Sequence, residues 1–362
     1  MNVGIVTKWF NRGQPVVGRQ LRSAVDQLGH ESFILARPRR EKGPMSGALE
    51  RTGVWDQPGV TEASRFEVPL GEYVEWVRAN GIDAVLCDQN YQFEELVELR
   101  RRGVRTIGRF VWEHFTREHL DGARVAYEVI YSMTLAEQER YALWGLETPR
   151  VPYGVHPELL EVAESGGHGG DRLDVVRCLF PGGFIGHRKP LAPVVEAFAR
   201  TTNPRLRLLV KAQVERASLD QLLPLIDSDP RIELRLGDEP WDEHLRTIAA
   251  CDVSVTPSRW EGLGLPLYEA MAFAMPAITN DDPPMNEVVE DGVNGLLVAS
   301  HPDGTARSGI PATRPDPEAL TDAIERIADD ELRARLSAGA VATRERLSWD
   351  HTVAALGELL DG

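Results

Sequence analysis

The sequence predicts an α/β fold built as two Rossmann-like, doubly wound domains facing a central cleft. Three observations carry that expectation. Short apolar strands alternate with longer amphipathic segments along most of the chain. At 362 residues, the chain exceeds what a single hydrophobic core usually serves. The run SGGHGG at 165–170 reads as a linker, and the alternation restarts after it.

NVGIVT opens as a strand, and GRQLRSAVDQLG follows as a helix ending at Gly29. ESFILA is a second strand, and EYVEWVRANG leads into strand DAVLC. FEELVELRRRG precedes RTIGRFVW, a strand expected to end at Trp112-Glu113-His114, and EVIYSMT is followed by helical AEQERYALWG. Past the linker, VVRCLFPGG, LRLLVKA, IELRLG, DVSVTPS, PAITN and GLLVAS read as strands. PLAPVVEAFART, SLDQLLPLI and DEHLRTIAAC read as the helices between them. HPDGTARSGIPATRP reads as an extended loop and PEALTDAIERIADDELRARLSAGA as a helical stretch. Strands alternating with helices imply parallel sheets covered on both faces. Ligands of such sheets bind beyond the carboxyl ends of the strands, so residues just after strands are the first site candidates.

The formal charge is −16, and it is unevenly spread: residues 151–362 hold 20 basic and 35 acidic residues. That half argues against a nucleic-acid binder. The first 50 residues hold 8 basic and 4 acidic residues, which leaves open contact with an anionic acceptor or a membrane surface; a solvated face is the plainer reading. Cys87, Cys178 and Cys251 are far apart and odd in number, as expected of buried thiols in a reducing compartment. No apolar run approaches the roughly 20 residues of a membrane span, and the start MNVGIVTKWF has no basic leader, so a cytoplasmic location is expected. Lysine occurs only at positions 8, 42, 189 and 211, against 36 arginines.

The stretch EGLGLPLYE at 261–269 concentrates the chemistry. Pro266 suits a first helical position, giving an expected helix over 267–275 stopped at Pro276, with Glu269 in its first full turn. Gly262 and Gly264 just before it permit close approach, and free N–H groups at a helix start attract anions. The unit is a candidate diphosphate cradle. Two carboxylates would repel a diphosphate, but each accepts hydrogen bonds from a pair of hydroxyls. Glu261 and Glu269 thus suit a ligand with an anionic middle and a diol at each end, such as a nucleotide sugar. A helix-dipole partner at Glu269 and an exposed turn acid at Glu261 fit the spacing equally.

The run SRWEGLGLPLYEAMAFAMPAITND with EVVEDGVNGLLV resembles the signature of the family four retaining glycosyltransferases of the GT-B fold. VPYGVHPELL is similar to that family's entry into its second domain, and LSWDHTVAALGELL to its terminal helix crossing back to the first. The resemblance implies an N-terminal acceptor-side domain at 1–160, a nucleotide-sugar domain at 161–345 and a crossing helix at 346–362. It implies Glu261 on donor-sugar hydroxyls, backbone amides of Gly262, Leu263, Gly264 and Leu265 on sugar and phosphates, and Glu269 on the ribose. Lys189 matches the lysine that neutralises the diphosphate, and Gly13 the second of an N-terminal glycine pair. The family's arginine six residues before that lysine is Gly183 here, so Arg188 or Lys211 is the candidate replacement. Arg12 replaces the first glycine of the pair, and Pro283-Pro284 stand where a glycine pair is common.

The resemblance implies a histidine at the end of the strand RTIGRFVW facing the donor sugar, which makes His114 the candidate for the reacting centre, with Glu113 beside it; a loop histidine without a role is the alternative. Asp88, Gln89 and Tyr91 follow a strand and are acceptor-side candidates, and Gly237 and Asp238 are candidates for flanking the base. The nine histidines show no ligand spacing, and the resemblance implies no metal or other cofactor. The expected activity is transfer of a sugar from a UDP- or GDP-sugar to a hydroxyl acceptor. An epimerase or hydrolase of the same fold, or a silent sugar-nucleotide-binding partner, are the alternatives.

Overall fold

The computed structural model describes residues 1–38, 49–165 and 175–362. The expected linker, from residue 166 on, lies outside them. The chain divides into two compact units, residues 1–153 with 350–362, and residues 154–349.

In the first unit, β1 (Asn2–Thr7), β2 (Glu31–Ala36), β3 (Val60–Glu62), β4 (Ala84–Asp88), β5 (Arg105–Arg109) and β6 (Val129–Tyr131) form one sheet. Its helices are α1 (Gly13–Gln27), α2 (Leu70–Asn80), α3 (Phe93–Arg101), α4 (Leu120–Ala126) and α5 (Leu135–Ala142). The second unit opens with α6 (Pro157–Ser165) and builds its sheet from β7 (Val176–Gly183), β8 (Leu206–Ala212), β9 (Ile232–Leu236), β10 (Val253–Val255), β11 (Ala277–Asn280) and β12 (Gly295–Val298). Around that sheet lie α7 (Ala192–Arg200), α8 (Leu223–Ser228), α9 (Trp241–Ala249), α10 (Leu265–Ala272) and α11 (Met285–Val288). A hairpin, β13 (Ser300–Thr305) with β14 (Pro311–Pro315), precedes α12 (Pro317–Arg326) and α13 (Asp330–Arg346); α14 (Trp349–Asp361) ends the chain.

The sheet orders are β3-β2-β1-β4-β5-β6 and β12-β11-β10-β7-β8-β9, and every pairing within them is parallel. Both are the doubly wound order, whose winding reverses between β1 and β4 and between β7 and β10. Central strands such as β4 (AVLCD) and β11 (AITN) are buried along their whole length because helices cover both faces. The second core packs Cys178, Phe180, Val194, Phe198, Leu208, Val210, Val255, Ile278 and Ile324. Each such side chain contributes about 1.5–3 kcal/mol of burial.

The structure corrects several expectations. The first division falls at 153/154, not 160/161, because α6 packs on α9 and α10. The second falls at 349/350 rather than 345/346, since Ser348 still pairs with Val155. The expected loop at 301–315 is the β13–β14 antiparallel hairpin. Strand β5 stops at Arg109, so Trp112-Glu113-His114 lie in the following turn. The long helical stretch is two helices, with the Asp329 carboxylate capping α13. α10 begins at Leu265 rather than 267, because Gly264 takes a left-handed φ of 81° and leaves Pro266 inside the first turn. Glu269 therefore sits in the second turn of that helix. No helix among the described residues is long and apolar enough to cross a membrane.

Candidate active site

The second sheet's switch point brings two loops together. One follows β7 and carries Arg188 and Lys189; the other follows β10 and runs through Ser258 to Glu261. The Arg259 N–H donates to the Arg188 carbonyl (2.9 Å), tying them to each other. The Asn280 amide donates to the Ser258 carbonyl (3.0 Å), and the Thr313 N–H of β14 donates to the Arg259 carbonyl (3.0 Å). Arg259 itself pairs with Asp303 of β13 at 2.9 Å. The missed hairpin thus braces the signature loop.

Glu261 is only 4% exposed. Its Oε1 lies 3.0 Å from Lys189 Nζ and accepts from the Ser258 hydroxyl at 2.8 Å, while Arg188 pairs with Oε2. Burial pushes the Glu261 carboxyl up. Arg188, Lys189 and Ser258 outweigh that and hold it below the ordinary carboxylate range. An acid buried this deeply thus stays charged and hydrogen-bond accepting.

Eight residues on, Glu269 rises from α10 with its Oε1 3.5 Å from His244 Nε2 of α9. His244 Nδ1 lies 3.8 Å from Glu239, which also takes Lys211 Nζ at 2.7 Å and Arg235 Nε at 3.0 Å. Burial pushes Glu269 up, but His244, Lys211 and Lys189 bring it below its ordinary value. Burial likewise opposes the charge on Glu239, and His244, Lys211 and Arg235 hold its carboxyl down at about 2. Lys211, at the end of β8, therefore faces Glu239 and not Glu261. Gly237, at φ 98°, and Asp238 are exposed beyond β9. Gly262, Leu263 and Gly264 are buried between the two acids, and Leu265 begins the helix.

The first unit carries the remaining candidates. Asp88 ends β4 and is buried against Arg109 Nη1 (3.5 Å), whose Nη2 meets Glu137 of α5 (3.4 Å). Burial pushes the Asp88 and Glu137 carboxyls up, and Arg109 only partly counters it. Gln89 holds a left-handed φ of 55° and accepts from the Tyr91 hydroxyl at 2.8 Å. The Tyr91 ring packs on Phe110 and His119. Gly13 opens α1. His114 is exposed, with Nε2 3.5 Å from the largely buried Glu113. Ser258, Glu239, His244, Arg109 and Glu137 went unsingled in the sequence. Arg109 and Glu239 each sit at or just past a strand end, the signal that singles out Asp88 and Lys211. No group of three or more metal-ligating side chains occurs among the described residues.

Residues 183–342 match the family described as "Glycosyl transferases group 1". The chain is 34% identical over 182 residues to a D-inositol 3-phosphate glycosyltransferase of Xylanimonas cellulosilytica, covering 50% of this chain and 34% of that protein. It is 30% identical over 116 residues to an alpha-D-kanosaminyltransferase of Streptomyces kanamyceticus, covering 32% of this chain and 26% of that one. Its matches span 34%, 22% and 21% of the lengths of three curated relatives. In fold it is similar to a sucrose-phosphate synthase of Thermosynechococcus elongatus (TM-score 0.73, 17% identity, covering 100% and 98% of the two chains). It is also similar to Anabaena HepE in complex with UDP (TM-score 0.72, 16% identity, both chains covered at 100%). The fold is GT-B, and the match to the group 1 glycosyl transferases lies wholly within the second unit.

Proposed function

We propose that this protein is a retaining glycosyltransferase that moves a sugar from a UDP- or GDP-sugar to an acceptor hydroxyl. The observation that carries the reading is a pair of carboxylates, the buried Glu261 and the part-buried Glu269, both held below the ordinary carboxylate range and flanking one helix start with Arg188, Lys189 and Lys211 alongside. Glu261 accepts from donor-sugar hydroxyls and Glu269 from the ribose. The backbone amides of 262–265 meet the diphosphate. Lys189 and Arg188 neutralise the charge that develops on it as it leaves. Side-chain cations rather than a divalent metal supply this charge, so a chelator leaves turnover intact. The departing phosphate oxygen takes the acceptor proton while the new C–O bond forms on the same face, so the anomeric configuration is kept. Asp88, Gln89 and Glu113 offer hydrogen-bond acceptors for the acceptor at the strand ends of the first unit. Gly13 opens the helix that follows β1, and His114 lies in the turn after β5 of that same sheet. The name of the Xylanimonas relative makes a phosphorylated polyol the first acceptor to try. Three buried, unpaired cysteines support a reducing cytoplasm as its place.

The test is a thermal-shift panel of nucleoside diphosphates and their sugars, followed by turnover with and without polyol acceptors. Binding of a UDP- or GDP-sugar and acceptor-dependent release of the diphosphate with retained configuration are expected. Equal turnover with donor alone would mean a hydrolase or epimerase. Undiminished turnover in both Glu261→Gln and Glu269→Gln would sink the assignment.

A further inference from the structure

We propose that His244 is a positioning residue for nucleotide binding, an imidazolium bridging Glu239 and Glu269 so that Glu269 keeps one carboxylate oxygen open for the ribose. The inference rests on reading Glu269 as the ribose clamp. His244 is largely buried at the end of the first turn of α9, packed beside Trp241 with ring centroids 5.2 Å apart. Its two ring nitrogens face two different carboxylates: Nε2 toward Glu269 Oε1 at 3.5 Å, Nδ1 toward Glu239 Oε1 at 3.8 Å. A neutral imidazole donates from one nitrogen and turns a lone pair to the other. Between two acids, only the doubly protonated ring faces both with a donor. The ring's pKa agrees: burial lowers it, and Glu239 and Glu269 together raise it above the ordinary histidine value.

The bridge has a consequence at Glu269. Its Oε1 is held by His244, while its Oε2 has no ion pair or hydrogen bond among the described residues. Oε2 is therefore the oxygen available to a vicinal diol. The charged groups around the ring come from several elements. Lys211 of β8 opposes its charge, and Arg235 of β9 bonds the far oxygen of Glu239. Glu243 lies on the same helix and pairs with Arg235. α6, which packs on α9, carries Glu158, Glu161 and Glu164, the first of them paired with His156. Lys189, paired with Glu261, also lowers the Glu269 carboxyl through its charge. When His244 loses its proton, Glu269 loses its nearest cation, and one acid meets a lone pair. Nucleotide affinity is full while the ring is charged and falls as pH rises through its raised pKa.

The experiment is calorimetric titration of the full chain with UDP and with GDP between pH 5.5 and 8.5, for wild type, His244→Gln and Glu269→Ala. Wild type should lose about tenfold in affinity across the histidine transition, the equivalent of a one-unit rise in the ring's pKa on binding. His244→Gln should bind throughout at the wild type's high-pH level. Comparing the two removes the nucleotide phosphate's own titration. In turnover, His244→Gln should raise the donor KM and leave kcat near its wild-type value. A His244→Gln profile identical to wild type overturns the bridge. If that variant does not fold, the His244 ring resonance of the wild type decides: its pKa must rise when nucleotide binds, and an unmoved pKa overturns the proposal. Glu269→Ala separates the two readings. Unchanged nucleotide affinity in that variant refutes the clamp itself, whereas weakened affinity there with an unaltered profile in His244→Gln refutes only the role of His244.

Discussion

At the switch point of the first sheet, β1 and β4 deliver Asp88, buried and tied to Arg109 at the end of β5; at the matching point of the second sheet, β7 and β10 deliver Lys189 and Glu261. The strand order is the same, and the charge arithmetic is opposite. In the first unit two acids, Asp88 and Glu137, share one guanidinium, and burial raises both carboxyls. In the second, Glu261 meets two cations and Glu269 one, and burial is outweighed at both. Identical topology thus carries raised carboxyls around one shared guanidinium in one unit and lowered carboxyls beside several cations in the other. The strand-end residues decide this, not the fold.

The comparison breaks hardest at Arg109. Arg109→Met strands two buried carboxylates and should cost about 3–5 kcal/mol of stability, read from the denaturant midpoint. Nucleotide binding should persist wherever the variant remains folded. Glu261→Gln should lower kcat/KM by roughly 100- to 1000-fold, the scale of removing one preorganised polar contact, with circular dichroism unchanged.

Acid should separate the units. Glu261, Glu269 and Glu239 have lowered carboxyls, so their stabilisation is present above the ordinary carboxylate range of about 4–4.5. It is lost as pH falls through their folded values, for Glu239 about 2. Asp88 and Glu137 are raised, so their contribution is fullest below that range and declines as pH rises through their folded values. Hydrogen exchange at pH 3 to 4 should show the second unit losing protection first. The smallest effect is Ser258→Ala, which removes one hydrogen bond from Glu261 and should cost about 0.5–1.5 kcal/mol in donor binding.

Much of this was legible in the sequence, for a physical reason. Strands buried on both faces read as unbroken apolar runs, and Glu261, Glu269 and the glycine turn lie in one contiguous segment. His244, Glu239, Arg109 and Glu137 were not legible, because their meaning comes from meeting residues on other elements. The β13–β14 hairpin hid behind Pro302, Gly304, Pro311 and Pro315, residues that ordinarily break strands; in a two-stranded ribbon both strands are edges, where proline is tolerated, and the register is irregular between Pro302 and Thr305. The start of α10 was misplaced because Pro266 fits either of the first two helical positions, and Gly264's backbone settled which.

Gly154 lies so close to Ser348 that a Cβ on it would stand 2.6 Å from the Ser348 carbonyl oxygen, and the Val155 N–H donates to the Leu347 carbonyl at 2.7 Å. The severed ends of the first unit also meet, where the Thr352 hydroxyl donates to the Pro152 carbonyl at 2.7 Å. In chain order the second unit is therefore an insertion within the first, and the two ends of each unit lie side by side. Residues 154–349 can be lifted out as a single piece, and a short linker from 153 to 350 can close the gap they leave.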